Sequence, residues 1–238
     1  MVRQERAIRT QLSILKAAAE VFDAYGYEAA TIGEILKRAG VTKGALYFHF
    51  PSKLALAEGV LEQQFSLVRV ESGPCKLQEF VDTGLAVAYH MRRDPLVSAV
   101  ARLSLEQELR AEYGPLAIRQ WIEASTKLLT AAKEQGELLH HVVPAESAWL
   151  FSAAWTGAQL YSQILNGRED LEDRVVAVFQ HLLPSVAVPA VLNRIEVSKE
   201  RVVRLGAVSG VPTARPDAGA AGAEPGDPTE RAKLAASA

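Results

Sequence analysis

Apolar positions fall on helical spacings along almost the whole chain. Ile8, Leu12, Leu15, Ala19 and Phe22 step by fours and threes, one stripe of an amphipathic helix over residues 5–25. Gly26 stands where a left-handed cap would end that helix. Thr31, with Glu34 three residues on, predicts the start of a short second helix running to about Ala39. Gly40 breaks it, Thr42 caps a third over roughly 43–48, and Pro51-Ser52 opens a fourth expected to reach about Val70. Beyond Ser72-Gly73-Pro74, helices are predicted over 76–92, 96–110, 115–135, 145–166, 170–183 and 187–205. No period-two alternation is sustained. The predicted fold is all-α, with an N-terminal three-helix helix-turn-helix domain over 1–53 and a larger helical domain over 54–205. Residues 206–238 hold ten Ala, five Gly, four Pro and no aromatic residue. Such a segment buries too little surface to offset its chain entropy and is expected to be a disordered tail.

Composition excludes several classes. With 49% hydrophobic and 23% charged residues among 238, the chain can build a core, and wholesale disorder is ruled out. The lone Cys75 forms no intramolecular disulfide and no cysteine-based metal site, and it fits a reducing compartment. It is read as a spectator thiol, with redox sensing as the sharper alternative. The opening MVRQERAIRTQ lacks the apolar stretch of a secretory signal. Residues 147–167 carry no charge, yet Ser147, Ser152, Thr156, Gln159, Ser162, Gln163 and Asn166 make them too polar for lipid. A soluble cytoplasmic protein with no membrane partner is expected. No nucleophile elbow, phosphate loop, HExxH or paired-carboxylate arrangement occurs, so neither an enzyme nor a cofactor or metal site is expected. His140 and His141 are adjacent and would diverge on a helix, which fits a loop capping a helix end. Glu106 and Glu108 with Arg102 and Arg110 read as a solvated face.

Net charge is −2, but residues 1–53 carry eight Lys/Arg against five Asp/Glu, or +3, which leaves −5 for the remainder. A basic front on an acidic body suits a nucleic-acid-facing end. The second and third helices, joined through Ala39-Gly40-Val41, have the outline of a helix-turn-helix. Ile32, Ile35, Leu36, Val41 and Leu46 would face inward. That leaves Thr42, Lys43, Gly44, Tyr47 and His49 outward, a set suited to phosphates and base edges.

Residues 31–53, TIGEILKRAGVTKGALYFHFPSK, resemble the signature of the TetR family of DNA-binding regulators, with Leu36 where many members have alanine. The resemblance implies a homodimeric, ligand-responsive repressor on a double-stranded DNA operator. By position it implies DNA contacts from Thr42, Lys43, Gly44, Tyr47, His49 and Lys53, with Thr31 at the N-terminus of the second helix.

In the body, Ser152, Thr156, Gln159 and Gln163 form a polar stripe along the helix at 145–166, extended by Trp149. Beside it run Phe151, Ala154, Ala158, Tyr161 and Leu165. A helix without charge for six turns is expected to be buried all round. It is either a dimer-interface helix whose amides bond internally, or one that lines a cavity on one face and meets a partner subunit on another. Val175, Val178, Phe179 and Leu182 are expected to extend that dimer surface.

Trp121 on the helix at 115–135 reads as core packing or as a cavity wall. GPLAIRQWI, the later QGEL and then TGAQLYSQ are similar to the γ-butyrolactone receptors of streptomycetes. That resemblance implies a lactone-like effector closed in by Trp121 and lined by Thr156 and Gln159, with Gln163 and Tyr89 as further hydrogen-bonding candidates. Some relatives of this group answer furan autoregulators or antibiotics instead. The helix starting at Ser52 would be the lever between the two domains.

Overall fold

The computed structural model of the chain describes residues 2–65, 70–104, 106, 109 and 114–208. The front end consists of α1 (Val2–Ala29), α2 (Ile32–Ala39), α3 (Lys43–His49) and α4 (Lys53–Leu61). Ile14, Ala18 and Phe22 of α1 close with Ile35, Leu46, Phe50, Leu56 and Val60 into a buried core. Gly26 does not end α1 as a left-handed cap. It sits at φ 77°, ψ 175°, a region open essentially only to glycine, and helix resumes through Ala29. α4 is shorter than its sequence suggests. It tightens into a 3₁₀ turn over Glu62–Phe65 that packs on the helix at 95–103, and Val70 is not helical.

The body is built from α5 (Lys76–Arg93), α6 (Pro95–Leu103), α7 (Gly114–Glu134), α8 (Pro144–Asn166), α9 (Leu171–Leu182), α10 (Pro189–Leu192) and α11 (Lys199–Val208). Asp94 caps α6 by accepting from Leu96 N at 2.9 Å, and Pro95 takes the first helical position. α6 ends at Leu103 rather than near 110. Cys75 gives α5 no side-chain cap, and the buried Glu137 supplies one by accepting from Lys76 N and Leu77 N at 3.1 and 2.7 Å. Phe80, Phe151 and Phe179 form an aromatic centre with ring centroids 5.1–5.8 Å apart.

The single helix expected over 187–205 is two. Gln78 on α5 accepts from Glu196 N at 2.7 Å and donates to Glu196 O at 3.1 Å, so this backbone bonds to a side-chain amide instead of a helical ladder. Ser198 then restarts the helix, and Arg201 of α11 grips Asp82 of α5 at 2.6 and 2.5 Å. α11 runs into the segment read as a tail. Residues 206–208 close it, and the rest of that expectation lies outside the described residues.

Two expectations about burial change. α8 is buried on one side only within the chain, because Tyr161, Ile164 and Leu165 are 68–74% exposed. Val175 and Phe179, expected at a subunit interface, are in the chain's own core. The unpartnered apolar surface therefore belongs to α8. No described helix is long and apolar enough to cross a membrane. No group of three or more His, Cys, Asp or Glu among the described residues could hold a metal ion.

Candidate functional site

At the front end, α2 and α3 meet across Gly40, whose φ of 65° gives the left-handed turn that an L side chain resists. Thr31 Oγ1 accepts from Glu34 N at 3.2 Å, and Thr42 Oγ1 accepts from Ala45 N at 3.3 Å, each capping its helix. Both hydroxyls keep a proton to donate outward. Lys43 and Gly44 are exposed at the start of α3, and the Lys43 ammonium lies 5.9 Å from the Tyr47 ring centroid. Tyr47 is 40% exposed. His49 is half-buried, edge-on to Phe48 at 5.2 Å. Phe48, which sequence reasoning passed over, is 82% exposed on the same helix. Its signal was a large aromatic side chain out of step with the inward Leu46 and Phe50.

Lys53 stands apart from this group. Its Nζ donates to the carbonyls of Tyr27, Glu28 and Ala30 at 2.8, 3.1 and 3.2 Å and lies 4.5 Å from the Tyr27 ring centroid. An ammonium has three protons, and all three meet the C-terminal end of α1, where the helix dipole also favours a cation.

In the body, a cavity of about 400 Å³ lies between α5, α6, α7 and α8. Phe80, Val87, Met91, Val97, Val100, Ile122, Leu128, Phe151 and Phe179 make it largely apolar, and Trp121, Trp149 and Trp155 stand in its wall. Thr83, Ser104, Ser125, Ser152, Thr156 and Gln159 are its polar groups, and no ionisable residue is among its described lining. Gln159 is 3% exposed, and its Oε1 accepts no hydrogen bond. An orphaned buried acceptor is costly, and a bound donor would satisfy it. Trp155 Nε1 is engaged, donating to Gly84 O at 3.2 Å. Trp155 was also missed in the sequence, because only Trp149 falls on the polar stripe.

Trp121, Thr156 and Gln159 are thus brought together, and two other residues named from the sequence are not. Gln163 is exposed and lines a neighbouring polar hollow. Tyr89 lies under α11, its ring against Gly206 and 3.8 Å from the Arg93 guanidinium. The side chain points away from the cavity because α11 covers that face of α5.

α6 connects the two regions. Val97, Val100 and Ala101 line the cavity, whereas Ser98 and Arg102 on its other side hold α1. Ser98 Oγ donates to Asp23 Oδ1, and Arg102 Nη1 donates to Asp23 O at 2.5 Å. Arg102 and Glu106 pair at 3.6 Å over Gly26, so this part of the face read as solvated is a joint between the domains; Glu108 and Arg110 lie outside the described residues. His140 and His141 lie edge-to-face in a turn whose carbonyls at 140 and 142 accept from Lys133 Nζ. Burial pushes the Cys75 thiol above its ordinary pKa, which disfavours the reactive thiolate.

Residues 14–60 match the family model for bacterial regulatory proteins of the tetR family. The chain is 43% identical over 196 residues to the A-factor receptor protein of Streptomyces griseus, covering 82% of this chain and 70% of that one. Among solved structures it is similar to TylP, a TetR regulator from Streptomyces fradiae. That match has 43% identity and a TM-score of 0.74, covering 84% of this chain and 97% of TylP. A γ-butyrolactone receptor described as ArpA-like is 26% identical at a TM-score of 0.66, covering 86% of this chain and all of that one. With its helix-turn-helix front, all-helical body and these relatives, the chain belongs to the TetR family of transcriptional regulators, DNA-binding proteins rather than enzymes.

Proposed function

We propose that the chain is a dimeric repressor that a neutral, mainly apolar small molecule of the γ-butyrolactone class releases from its operator. The observation that carries this reading is a cavity whose described lining holds no ionisable group, with the orphaned Gln159 Oε1 in its wall. A charged ligand would lose hydration there without a counter-ion, whereas a lactone with a hydroxyl gains both apolar burial and a donor contact to Gln159. Trp121 closes one side and Thr156 offers a second polar contact. The similarity to a γ-butyrolactone receptor described as ArpA-like supports the same ligand class.

On the operator, α3 enters the major groove. Lys43 and the Thr42 hydroxyl meet phosphates, and Tyr47, Phe48 and His49 approach sugar or base edges. Gly44 supports this reading. A Cβ there would touch nothing within 4 Å, so the fold itself does not require a glycine. A residue that weakens a helix by about 0.5–1 kcal/mol relative to alanine is explained by close approach of DNA. The exposed Tyr161, Ile164 and Leu165 of α8 are the dimer surface, and a two-fold dimer calls for a palindromic operator.

The lever is α6 rather than the helix starting at Ser52. One face of α6 lines the cavity and the other holds Asp23, so a ligand that shifts α6 moves α1 and the recognition helix with it. A coupling of about 1–3 kcal/mol corresponds to a roughly 5- to 150-fold loss of operator affinity.

Mobility shift on the DNA upstream of the protein's own gene, with and without a synthetic γ-butyrolactone, tests the reading. Retardation that the lactone reverses supports it. A Lys43→Ala/Tyr47→Ala double variant that folds and binds as tightly as wild type would overturn the DNA assignment.

A further inference from the structure

Beside the apolar cavity lies a polar hollow of about 630 Å³, walled by α1, α5, α6, α8 and the turn between α8 and α9. Met91 and Gln159 line both spaces, so a single layer of side chains separates them. Their chemistry is opposite. The hollow has Arg92, Arg102 and Arg168 in its wall, with Asp23, Glu106 and Glu169.

These cations are unequally satisfied. Arg92 Nη1 lies 3.2 Å from Glu172 Oε1, and Arg102 Nε lies 3.6 Å from Glu106 Oε1. Among the described residues Arg168 makes no ion pair with a carboxylate. Its Nη1 donates to Ser98 Oγ, its Nε is buried without an acceptor, and Asp23 is reached only through Ser98. The residue is 7% exposed, and burial disfavours its charged form. A guanidinium carries five N–H donors, and burying it without acceptors is among the least favourable arrangements in a protein interior.

The backbone supplies a second, independent sign. Arg168 has φ 68° and is the one positive-φ non-glycine residue among those described, directly after Gly167 at φ 57°. A long side chain is held where glycine would be easier, and strain of this kind collects at sites that function maintains.

We propose that the hollow is a second binding site, for a small molecule bearing an oxyanion, with Arg168 as its principal ligand and Arg102 beside it. A carboxylate or phosphate supplies the acceptors that Arg168 lacks, in the planar, two-pronged geometry that a guanidinium matches. This site does not depend on what fills the apolar cavity, and it takes a charged ligand where the cavity takes a neutral one.

The test is isothermal titration of the full chain, without DNA, using citrate as the carboxylate probe and inorganic phosphate as the phosphate probe. Saturable binding of either probe, at one per chain, is expected, and the probe that binds identifies the headgroup. Arg168→Gly relieves the left-handed backbone, so it folds, and it weakens binding roughly 10- to 100-fold. Arg102→Gln weakens it in the same direction from the adjoining wall. Absence of saturable binding and of any rise in melting temperature at about 10 mM of both probes overturns the proposal. Wild-type affinity in Arg168→Gly overturns it as well.

Discussion

Lys53→Met separates two roles that one lysine could play. The substitution keeps the aliphatic length but removes the ammonium that gathers the carbonyls of Tyr27, Glu28 and Ala30 at 2.8–3.2 Å. The bonds to Tyr27 and Ala30 are part-buried, so those two carbonyls lose partners that water replaces only incompletely, and the contact with the Tyr27 ring goes too. A hydrogen bond to a charged group contributes about 1.5–3 kcal/mol and an exposed cation–π contact about 0.5–1 kcal/mol. These terms share one ammonium and do not add, and the Glu28 bond is solvent-exposed, so the net loss is about 2–4 kcal/mol. At this chain length that lowers Tm by roughly 5–15 °C. Differential scanning calorimetry reads the loss, and fluorescence anisotropy on the operator at several salt concentrations reads the DNA contribution. Each phosphate contact contributes about 0.9 to the slope of log affinity against log salt. Lys53→Met should leave that slope unchanged, whereas Lys43→Ala should reduce it by about one. A Lys53→Met protein with wild-type Tm and a slope reduced by one would refute the clamp and place Lys53 on a phosphate.

Gly26→Ala should destabilise the chain by about 1–3 kcal/mol, since φ 77°, ψ 175° is a glycine region and the new Cβ falls 2.6 Å from Glu106 Oε1; urea unfolding measures it, and an unchanged midpoint would refute the account of the joint. Ile164→Glu puts a charge on the exposed apolar face of α8 and should weaken self-association by roughly 100-fold or more, if burial of the unpaired charge costs about 3 kcal/mol; sedimentation velocity showing an intact dimer would remove α8 from the interface. Asp170 accepts from Ser162 Oγ at 2.6 Å, Arg174 Nε at 2.7 Å and Asn166 Nδ2 at 2.9 Å, and these bonds, Ser162 foremost, bring its pKa down to about 2. Because the folded value is below the unfolded one, near 3.8, this contribution is present above about pH 4 and is lost as pH falls toward 2; Asp170→Asn should flatten the acid limb of a Tm–pH profile, and an unaltered limb would contradict the assignment.

The parts legible in the sequence were those governed by local rules. Thr31, Gly40 and Thr42 cap and turn the helix-turn-helix through their own chemistry, so its bounds and outward face could be read directly. The charge-free stretch of α8 announced an unusual helix, and Trp121 with Thr156 and Gln159 marked one cavity. What could not be read was set by distant partners. The Gln78 amide interrupts the helix after Leu192 from 118 positions away. α11 covers Tyr89, and no periodicity in α5 foretells that cover. Lys53 follows the family pattern by position, but the carbonyls that claim it lie 23–26 residues upstream. The apolar stripe of α9 was real, yet stripes do not say whether they face a partner or their own core.

The central claim, that the cavity beside Trp121 receives a neutral lactone and α6 passes its occupancy to the recognition helix, is tested by one titration. A synthetic γ-butyrolactone is added to the preformed operator complex of the wild type and of Trp121→Ala, with DNA release followed by fluorescence anisotropy. The account predicts release of the wild type and a Trp121→Ala complex that forms normally but is not released, because that residue walls the cavity and belongs to a helix of the body, far in sequence from the front end. Full release of the Trp121→Ala complex by the same lactone, or a wild-type complex that the lactone leaves intact, would contradict it.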